Sequence, residues 1–165
     1  MQQTRNDRII KEMMDYDKGM AKQIQHFLKV YEFAHIIGTG EGLDDRTEEI
    51  LETAAILHDI GIKPALEKYG SSAGKYQEEL GPDEAEKILT RMGYDNDLIE
   101  RVKFLIGHHH TYNNIEGPDY QILVEADFLV NLYEDNESPE SIRNVYNRIF
   151  KTGTGRYLCS IMYDM

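Results

Sequence analysis

The sequence predicts an all-α protein, on three observations. Apolar residues recur every three or four positions along most of the 165 residues, which is the spacing of amphipathic helices. No stretch alternates apolar and polar residues as a half-buried strand would. Capping residues or proline open the helical segments and glycine often closes them. We expect six to eight helices in one domain over residues 1–165, with the motif-bearing core at about 20–135 and C-terminal helices over 136–165.

The first half of the chain contains four expected helices. They run from Thr4 or Asn6 to about Tyr16, from near Asp17 to the glycines 38, 40 and 42, from Asp44 or Asp45 to the stretch 52–63, and from Pro64 to Tyr69. Acidic residues in the first turn of the third helix suit the positive end of its dipole. The loop 70–74 is rich in Gly and Ser and separates the two halves.

The second half contains five expected segments. They begin at Gly81-Pro82 and close at Gly93, begin at Asn96, run from Pro118 to about Tyr133, run from Ser138-Pro139 to near Phe150, and cover Thr154 to Met162. Proline is favoured at the first position of a helix because that residue needs no N–H donor. Each of these starts follows that rule or places a capping residue at the N-terminus.

Composition limits the classes of function. The formal charge of −12 argues against a binder of polymeric nucleic acid or anionic membranes, which would present a basic face. A small phosphorylated substrate remains compatible, because a bound metal makes a pocket locally positive. The single Cys159 forms no internal disulfide, and no segment reaches transmembrane length, so we expect a cytoplasmic protein. The Met-rich first helix and the tail 157–165 either cover the core or form a homodimer contact.

The stretch ETAAILHDIGIK, residues 52–63, organises the chain. Its first half is apolar or small, which predicts a buried helix, and Gly61 with Pro64 ends that helix. The buried helix therefore delivers His58 and Asp59 to the edge of the core. Such polar groups are normally paired or bound to a metal, although two helix caps would also account for them.

Two further polar residues lie on faces that are otherwise apolar. Asp127 shares its helix face with Leu123, Val124 and Val130, so it should be buried beside a cation or an arginine. His26 shares a face with apolar residues and has lysine and glutamine neighbours, which suits the margin of a cleft. His35 lies half a turn away from His26 and is interpreted as a surface or packing residue.

The run His108-His109-His110 follows a helix and precedes the polar residues 111–114. Successive helical residues point in different directions, so one or two of these imidazoles face any one centre. The alternative is a histidine run in a loop without function. Glu125 lies on another face of the helix that carries Asp127 and is interpreted as a solvated or supporting acid.

Four strings in this order resemble the motifs of the HD-domain superfamily of metal-dependent phosphohydrolases. They are HFLKVYEFA, AAILHDIG, LIGHHHTY and EADFLVN, and together they span about 23–133. The resemblance implies a helical fold and one divalent metal held by His26, His58, Asp59 and Asp127. The donor set suits Mn²⁺, Fe²⁺, Co²⁺, Ni²⁺ or Zn²⁺, and Mg²⁺ is a further candidate.

The chain departs from the two-metal members of that superfamily. Those members carry another histidine before a glycine that corresponds to Gly81, and this chain has Gln77, Glu78 or Glu79 in that region. One metal per chain is the simpler interpretation, with Glu78 or Glu79 as a replacement ligand the alternative. His109 or His110 then contacts substrate or moves a proton, and Lys63 either contacts phosphate or is exposed.

The resemblance implies hydrolysis of a phosphate ester in a nucleotide or similar metabolite, with Asp59, His109 and Lys63 as catalytic residues. Asp59 orients the metal-bound water, while His109 and Lys63 neutralise charge on the phosphate. Two alternatives stay open. One is an iron-dependent oxygenase, which some proteins of the superfamily are, and the other is a non-catalytic module that binds a nucleotide or metal.

Overall fold

The computed structural model describes residues 3–165, which form nine α-helices. The two residues before these, part of the expected domain 1–165, lie outside the described range. The helices are Arg5–Tyr16 (α1), Ala21–Gly40 (α2), Asp45–Leu57 (α3), Ile62–Tyr69 (α4), Gly74–Arg91 (α5), Asn96–Ile106 (α6), Pro118–Glu134 (α7), Pro139–Arg148 (α8) and Gly153–Tyr163 (α9). The all-α class is confirmed. The count over these residues is one more than the upper end of the expected six to eight.

Side-chain caps fix five of the nine helix starts in the described residues. Thr4, Asp44, Ser138 and Thr152 each accept the backbone N–H of the residue three positions on. Two of these starts differ by a residue from the prediction. Helix α6 is capped by Asp95, which accepts the N–H of Leu98, and α9 begins at Gly153 instead of Thr154. These caps satisfy N–H groups that have no partner inside their helices.

Helix α2 begins at Ala21 rather than near Asp17, and it continues through two of the glycines expected to break it. Gly38 and Gly40 are there for close packing. A Cβ on Gly40 would lie 2.5 Å from Thr154 Oγ1, and one on Gly38 would lie 3.2 Å from a methyl group of Leu51. Gly42, with a φ of +72°, follows the end of the helix and adopts a conformation that glycine tolerates.

Helix α5 begins at Gly74, so the prediction that Gly81-Pro82 starts a helix was wrong. Pro82 lies inside the helix, at the cost of one backbone hydrogen bond. The reason is tertiary packing at Gly81, where a Cβ would lie 2.8 Å from Ile106 Cγ2. On the other side, a Cβ on Gly61 would lie 2.8 Å from the nitrogen of Gly81. The two glycines let α5 approach the turn that follows α3.

Helix α2 packs against α3 and α7, while α6 packs against α3 and α5. The residues from Thr53 to Leu57 are all fully buried, so the predicted buried helix is confirmed. This helix stops at Leu57, but Pro64 lies in the first turn of α4 instead of ending an element. Within residues 3–165 no helix combines the length and apolarity needed to cross a bilayer. The arrangement brings α2, α7 and the turn after α3 to one place in the core.

Candidate metal centre

Four side chains from three parts of the fold converge on one point. His26 comes from α2, Asp127 from α7, and His58 and Asp59 from the turn after α3. His26 Nε2 lies 3.1 Å from His58 Nε2, 3.1 Å from Asp127 Oδ1 and 3.1 Å from Asp59 Oδ2. His58 Nε2 lies 3.3 Å from Asp127 Oδ1 and 3.4 Å from Asp59 Oδ2. The residues that sequence reasoning selected as metal ligands therefore form one cluster.

The cluster is buried, which makes its unneutralised form costly. His58 is fully buried, and His26, Asp59 and Asp127 expose 6% or less of their surface. Removing carboxylates and imidazoles from water is unfavourable unless each gains a partner. The predicted burial of Asp127 on the apolar face of its helix is confirmed. The four side chains offset this cost of burial mainly by contacting one another.

A hydrogen bond at Nδ1, on the side away from the cluster, fixes the orientation of each imidazole ring. His26 Nδ1 donates to Glu134 Oε1 at 3.0 Å, and His58 Nδ1 donates to the carbonyl oxygen of Ala55 at 2.7 Å. A proton held on each Nδ1 leaves Nε2 directed at the cluster. Acceptors of this kind orient metal-binding histidines and raise their basicity. Glu134 was not selected from the sequence, although it lies seven residues after Asp127, about two turns along the same helix.

Asp59 uses both carboxylate oxygens. Gln23 Nε2 donates to Oδ2 at 3.1 Å, while Oδ1 lies 3.1 Å from His109 Nε2. The other ring nitrogen of His109 donates to the carbonyl oxygen of Ile106 at 2.7 Å. Asp59 therefore connects the four-residue cluster to the histidine run after α6.

The charges of the cluster are strongly coupled in the metal-free chain. Burial alone would lower the pKa of His26, but hydrogen bonds to Asp127 and Asp59 outweigh it and raise this pKa to about 11. Burial also opposes the charged form of His58, but the charge of Asp59 and the bond to Asp127 raise its pKa to about 9. Burial would raise the pKa of Asp127, but hydrogen bonds with His26 and His58 hold it below its ordinary value. In the metal-free chain, protons on the two imidazoles thus supply the positive charge that a metal ion would bring to the carboxylates.

The residues present fit a divalent transition metal. His26, His58, Asp59 and Asp127 each offer a ligand atom, and these atoms all lie within 4.8 Å of one another. Ligand atoms that would share one ion at about 2.1 Å each lie no more than about 4.2 Å apart, and the separations in this cluster are 3.1–3.4 Å. Two imidazoles with two carboxylates suit Mn²⁺, Fe²⁺, Co²⁺, Ni²⁺ or Zn²⁺.

A cavity of about 370 Å³ opens beside the cluster. His26 and Asp59 lie in its wall together with Lys22 and Asn131. Lys22 precedes His26 by one helical turn and Asn131 follows Asp127 by one turn, so helical periodicity places both near the ligands. The cavity gives a small molecule access to an otherwise buried centre.

Comparison with known proteins agrees with this geometry. The family model of the HD domain matches residues 24–149, a range that contains all four clustered side chains. The chain belongs to the HD-domain family. Among solved structures, this HD domain is similar to a predicted HD superfamily hydrolase from an uncultured Thermotogales bacterium, with 27% identity and a TM-score of 0.65. That similarity covers 95% of this chain and 82% of the other. Comparison with curated proteins finds no match.

The histidine run of this HD domain follows the end of α6, and its three imidazoles make different contacts. His108 stacks on Phe104 with ring centroids 4.1 Å apart, away from the cluster. His109 is fully buried behind Asp59. His110 lines the cavity, and its Nε2 lies 2.9 Å from Gln77 Oε1. His109 and His110 are therefore the two members of the run that face the centre.

Asp59, His109 and His110 form a second group that could hold an ion, and it shares Asp59 with the first. Gln77, from the region where two-metal relatives carry a histidine, contacts His110. Glu78 accepts hydrogen bonds from the hydroxyl of Thr111 and from the backbone N–H of His110, and Glu79 accepts one from the hydroxyl of Tyr69. Neither glutamate belongs to a group of candidate ligands.

The remaining sequence candidates lie elsewhere. Lys63 donates to the carbonyl oxygen of Tyr16 at 2.9 Å and does not line the cavity, so its contact with phosphate stays a prediction. His35 is half-exposed and lies 3.2 Å from Glu52, consistent with its interpretation as a surface residue.

The interpretation of Glu125 as a solvated acid was wrong. Glu125 is fully buried and accepts hydrogen bonds from Gln121, from the hydroxyl of Thr152 and from the backbone N–H groups of Lys151 and Thr152. Its helix face is buried too, because α9 starts against it. Glu125 therefore joins α7 to the start of α9 instead of supporting the cluster.

Proposed function

We propose that this protein is a metal-dependent phosphohydrolase that acts on a small phosphate ester, a nucleotide or a similar metabolite. The observation that carries the proposal is the convergence of His26, His58, Asp59 and Asp127 beside a cavity open to solvent. A divalent ion bound there supplies Lewis acidity and lowers the pKa of a bound water. A cytoplasmic location belongs to the same proposal.

The chain itself would position the reactants. Lys22 lines the cavity, and its N–H groups suit phosphate oxygens. His110 lines the same cavity, but its Nε2–H donates to Gln77 Oε1. The amide of Asn131 lines the same cavity and offers a further donor. Contact with substrate falls to these residues, because His109 is enclosed behind Asp59.

His109 and Asp59 form a pair suited to holding a proton. Nδ1 of His109 is committed to the carbonyl oxygen of Ile106, while Nε2 faces Asp59 Oδ1 at 3.1 Å. A proton at Nε2 would be shared with the carboxylate. In this proposal Asp59 orients the attacking water and accepts its proton, which the carboxylate then shares with His109 Nε2.

We propose one ion per chain, held by the four-residue cluster. Nε2 of His110 donates a hydrogen bond to the neutral side chain of Gln77 at 2.9 Å. Because this nitrogen is already bonded, the second group is weaker as a separate metal site. An iron-dependent oxygenase would need two irons. Elemental analysis of the untreated purified protein therefore tests the metal count, and two irons per chain with oxygen uptake would replace the hydrolase proposal.

The activity test uses the chain loaded in turn with Mn²⁺, Co²⁺, Ni²⁺ and Zn²⁺ against a panel of phosphomonoesters and phosphodiesters. We expect turnover with at least one metal, and its loss in Asp59→Ala. Asp135→Asn is the matched control, because Asp135 lines the cavity but lies outside the group of ligands. Absence of turnover across the panel, or full activity of Asp59→Ala, would contradict the proposal.

A further inference from the structure

A second cavity, of about 330 Å³, has its own set of lining residues, among them Phe128, which directly follows the candidate ligand Asp127. Its wall is built from Tyr112 in the loop after α6, Phe128 on α7, and one face of α8. This volume lies at the lower end of the range for sites that hold small molecules. The wall combines two aromatic rings, aliphatic side chains and a few polar groups, which is the usual composition of such sites.

The aromatic part of the wall suits a flat ring. Tyr112 and Phe128 pack with ring centroids 5.1 Å apart and planes tilted by 51°. Tyr112 keeps 41% of its surface exposed, so one ring face is accessible. Val145 on α8 and Ile149, directly after the end of that helix, add aliphatic surface to the same cavity. A planar heterocycle would bury both of its faces between these groups.

The polar part of the wall is rich in donors. Asn144 and Arg148 lie one turn apart on α8 and both line the cavity. The guanidinium of Arg148 is exposed, and none of residues 3–165 provides it with a carboxylate within 4 Å. Arginine offers five N–H donors, which pair well with the carbonyl and ring-nitrogen acceptors of nucleobases.

The second cavity is linked to the metal centre through the chain. Phe128 directly follows the candidate ligand Asp127, and Tyr112 lies two residues after His110, which lines the first cavity. Tyr112 and Phe128 are therefore the two residues of the second cavity that lie closest in the chain to residues of the centre.

We infer that this second cavity binds the nucleobase of a nucleotide whose phosphate lies at the metal centre. The inference rests on the proposed function and gives it a substrate class. The base stacks on Tyr112, and Arg148 with Asn144 binds its acceptor edge. Sugar phosphates without a base would lack these contacts and would be poorer substrates.

The test measures nucleoside binding without phosphate, metal or turnover. Adenosine, guanosine and uridine are titrated into the metal-free protein, with ribose as the reference, and binding is followed by ligand-observed saturation-transfer NMR. We expect at least one nucleoside to bind at least tenfold more tightly than ribose. Arg148→Gln and Tyr112→Ala should each weaken that binding at least fivefold. Both side chains are exposed, and thermal melting confirms that each variant is folded.

Arg143→Gln is the matched control, because Arg143 is exposed on the same helix but does not line this cavity. Equal binding by the Arg148 and Arg143 variants, or nucleoside binding no tighter than that of ribose, would overturn the inference. Hydrolysis of sugar phosphates without nucleoside binding would overturn the base subsite and leave the hydrolase intact. Nucleoside binding that needs Arg148, without any hydrolysis, would keep the subsite and reject the proposed function.

Discussion

The Nε2 atoms of His26 and His58 face each other across 3.1 Å, while the Nδ1 atom of each ring is bonded on its far side. Two ring nitrogens at this distance need a proton or a cation between their lone pairs. Two carboxylates, of Asp59 and Asp127, approach the same point. These nitrogen and carboxylate atoms therefore form a site for a positive charge, and protons and a metal ion compete for it.

This competition predicts that metal binding strengthens as pH rises. The pKa values of about 11 for His26 and about 9 for His58 exceed the ordinary 6.5, so both rings are protonated at pH 7 in the metal-free chain. Each bound ion must then release up to two protons. The Kd for Mn²⁺ should fall by up to about 100-fold per pH unit below pH 9. Isothermal titration at pH 6, 7 and 8, in buffers of different ionisation enthalpy, counts the protons.

The stability of the metal-free chain should change in the opposite direction. Because the folded pKa of each histidine is raised, its contribution is complete below about pH 6.5 and is lost as pH rises through 9 and 11. The increase in Tm on adding Mn²⁺ should therefore grow from pH 6 to pH 8. A pH-independent Kd with no proton release would show that the rings are neutral before metal binds.

A second prediction concerns Glu134, which holds His26 through Nδ1. Glu134→Gln keeps the size of the side chain but replaces a charged acceptor with a neutral one. We expect metal affinity to fall about 10- to 100-fold, the usual effect of losing such an acceptor. Asp135→Asn removes the same charge one residue away, without a histidine contact, and should change the affinity far less. Similar losses in both variants would show a general effect of charge.

The two lysines near the centre provide a third prediction. Lys22 is exposed and lines the cavity, so Lys22→Gln should raise KM for a phosphate ester about fivefold with little change in kcat. Lys63 is bonded to the carbonyl oxygen of Tyr16 and lies near Asp17, whose pKa burial raises to about 6 even though the charge of Lys63 lowers it.

Lys63→Gln should therefore reduce stability more than it raises KM. Thermal melts and steady-state kinetics of both variants separate the two roles. Lys18→Gln, at an exposed residue in the turn before α2, is the control for lost charge. If Lys63→Gln raises KM more than Lys22→Gln while the melts agree, the ammonium leaves Tyr16 to contact phosphate.

Local patterns predicted the fold class and singled out polar residues on apolar helix faces, because burial and helical spacing leave a signature in neighbouring positions. The resemblance to the HD-domain motifs grouped four of them as ligands of one metal. Asp127 on an apolar face is the clearest case. Glu134 and Gln23 were not selected, because polar residues near a helix surface look alike until the tertiary fold brings His26 and Asp59 to them. The burial of Glu125 was missed for the same reason, since its partners Lys151 and Thr152 are more than 25 residues away.

The role of several glycines could not be predicted from the sequence either. A glycine suits a helix end or a close contact between backbones, and local sequence does not separate the two. Gly81 was expected at a helix start and instead lies inside α5 against Ile106. Gly38 and Gly40 likewise pack inside α2. In each case the deciding neighbour is distant in the chain.

The contact between Gly61 and α5 gives the last prediction. Gly61 has a φ of −74°, which alanine adopts readily, so Gly61→Ala tests space rather than backbone conformation. Its new Cβ would lie 2.7 Å from the carbonyl oxygen of Gln77 and 2.8 Å from the nitrogen of Gly81. Backbone on that side must move, which should cost about 1–3 kcal/mol. Because Gly61 follows Asp59 by two residues, metal affinity should fall as well.

Gly153→Ala is the matched control, since Gly153 begins α9 and a Cβ there would lie 3.7 Å from its nearest neighbour. This variant should keep full stability and metal affinity. Urea unfolding and Mn²⁺ titration of both variants measure the two effects. Equal stability and equal Mn²⁺ binding of Gly61→Ala and the wild type would contradict the prediction. Close packing of α5 against the turn that carries Asp59 would then not be what holds Gln77 beside the centre.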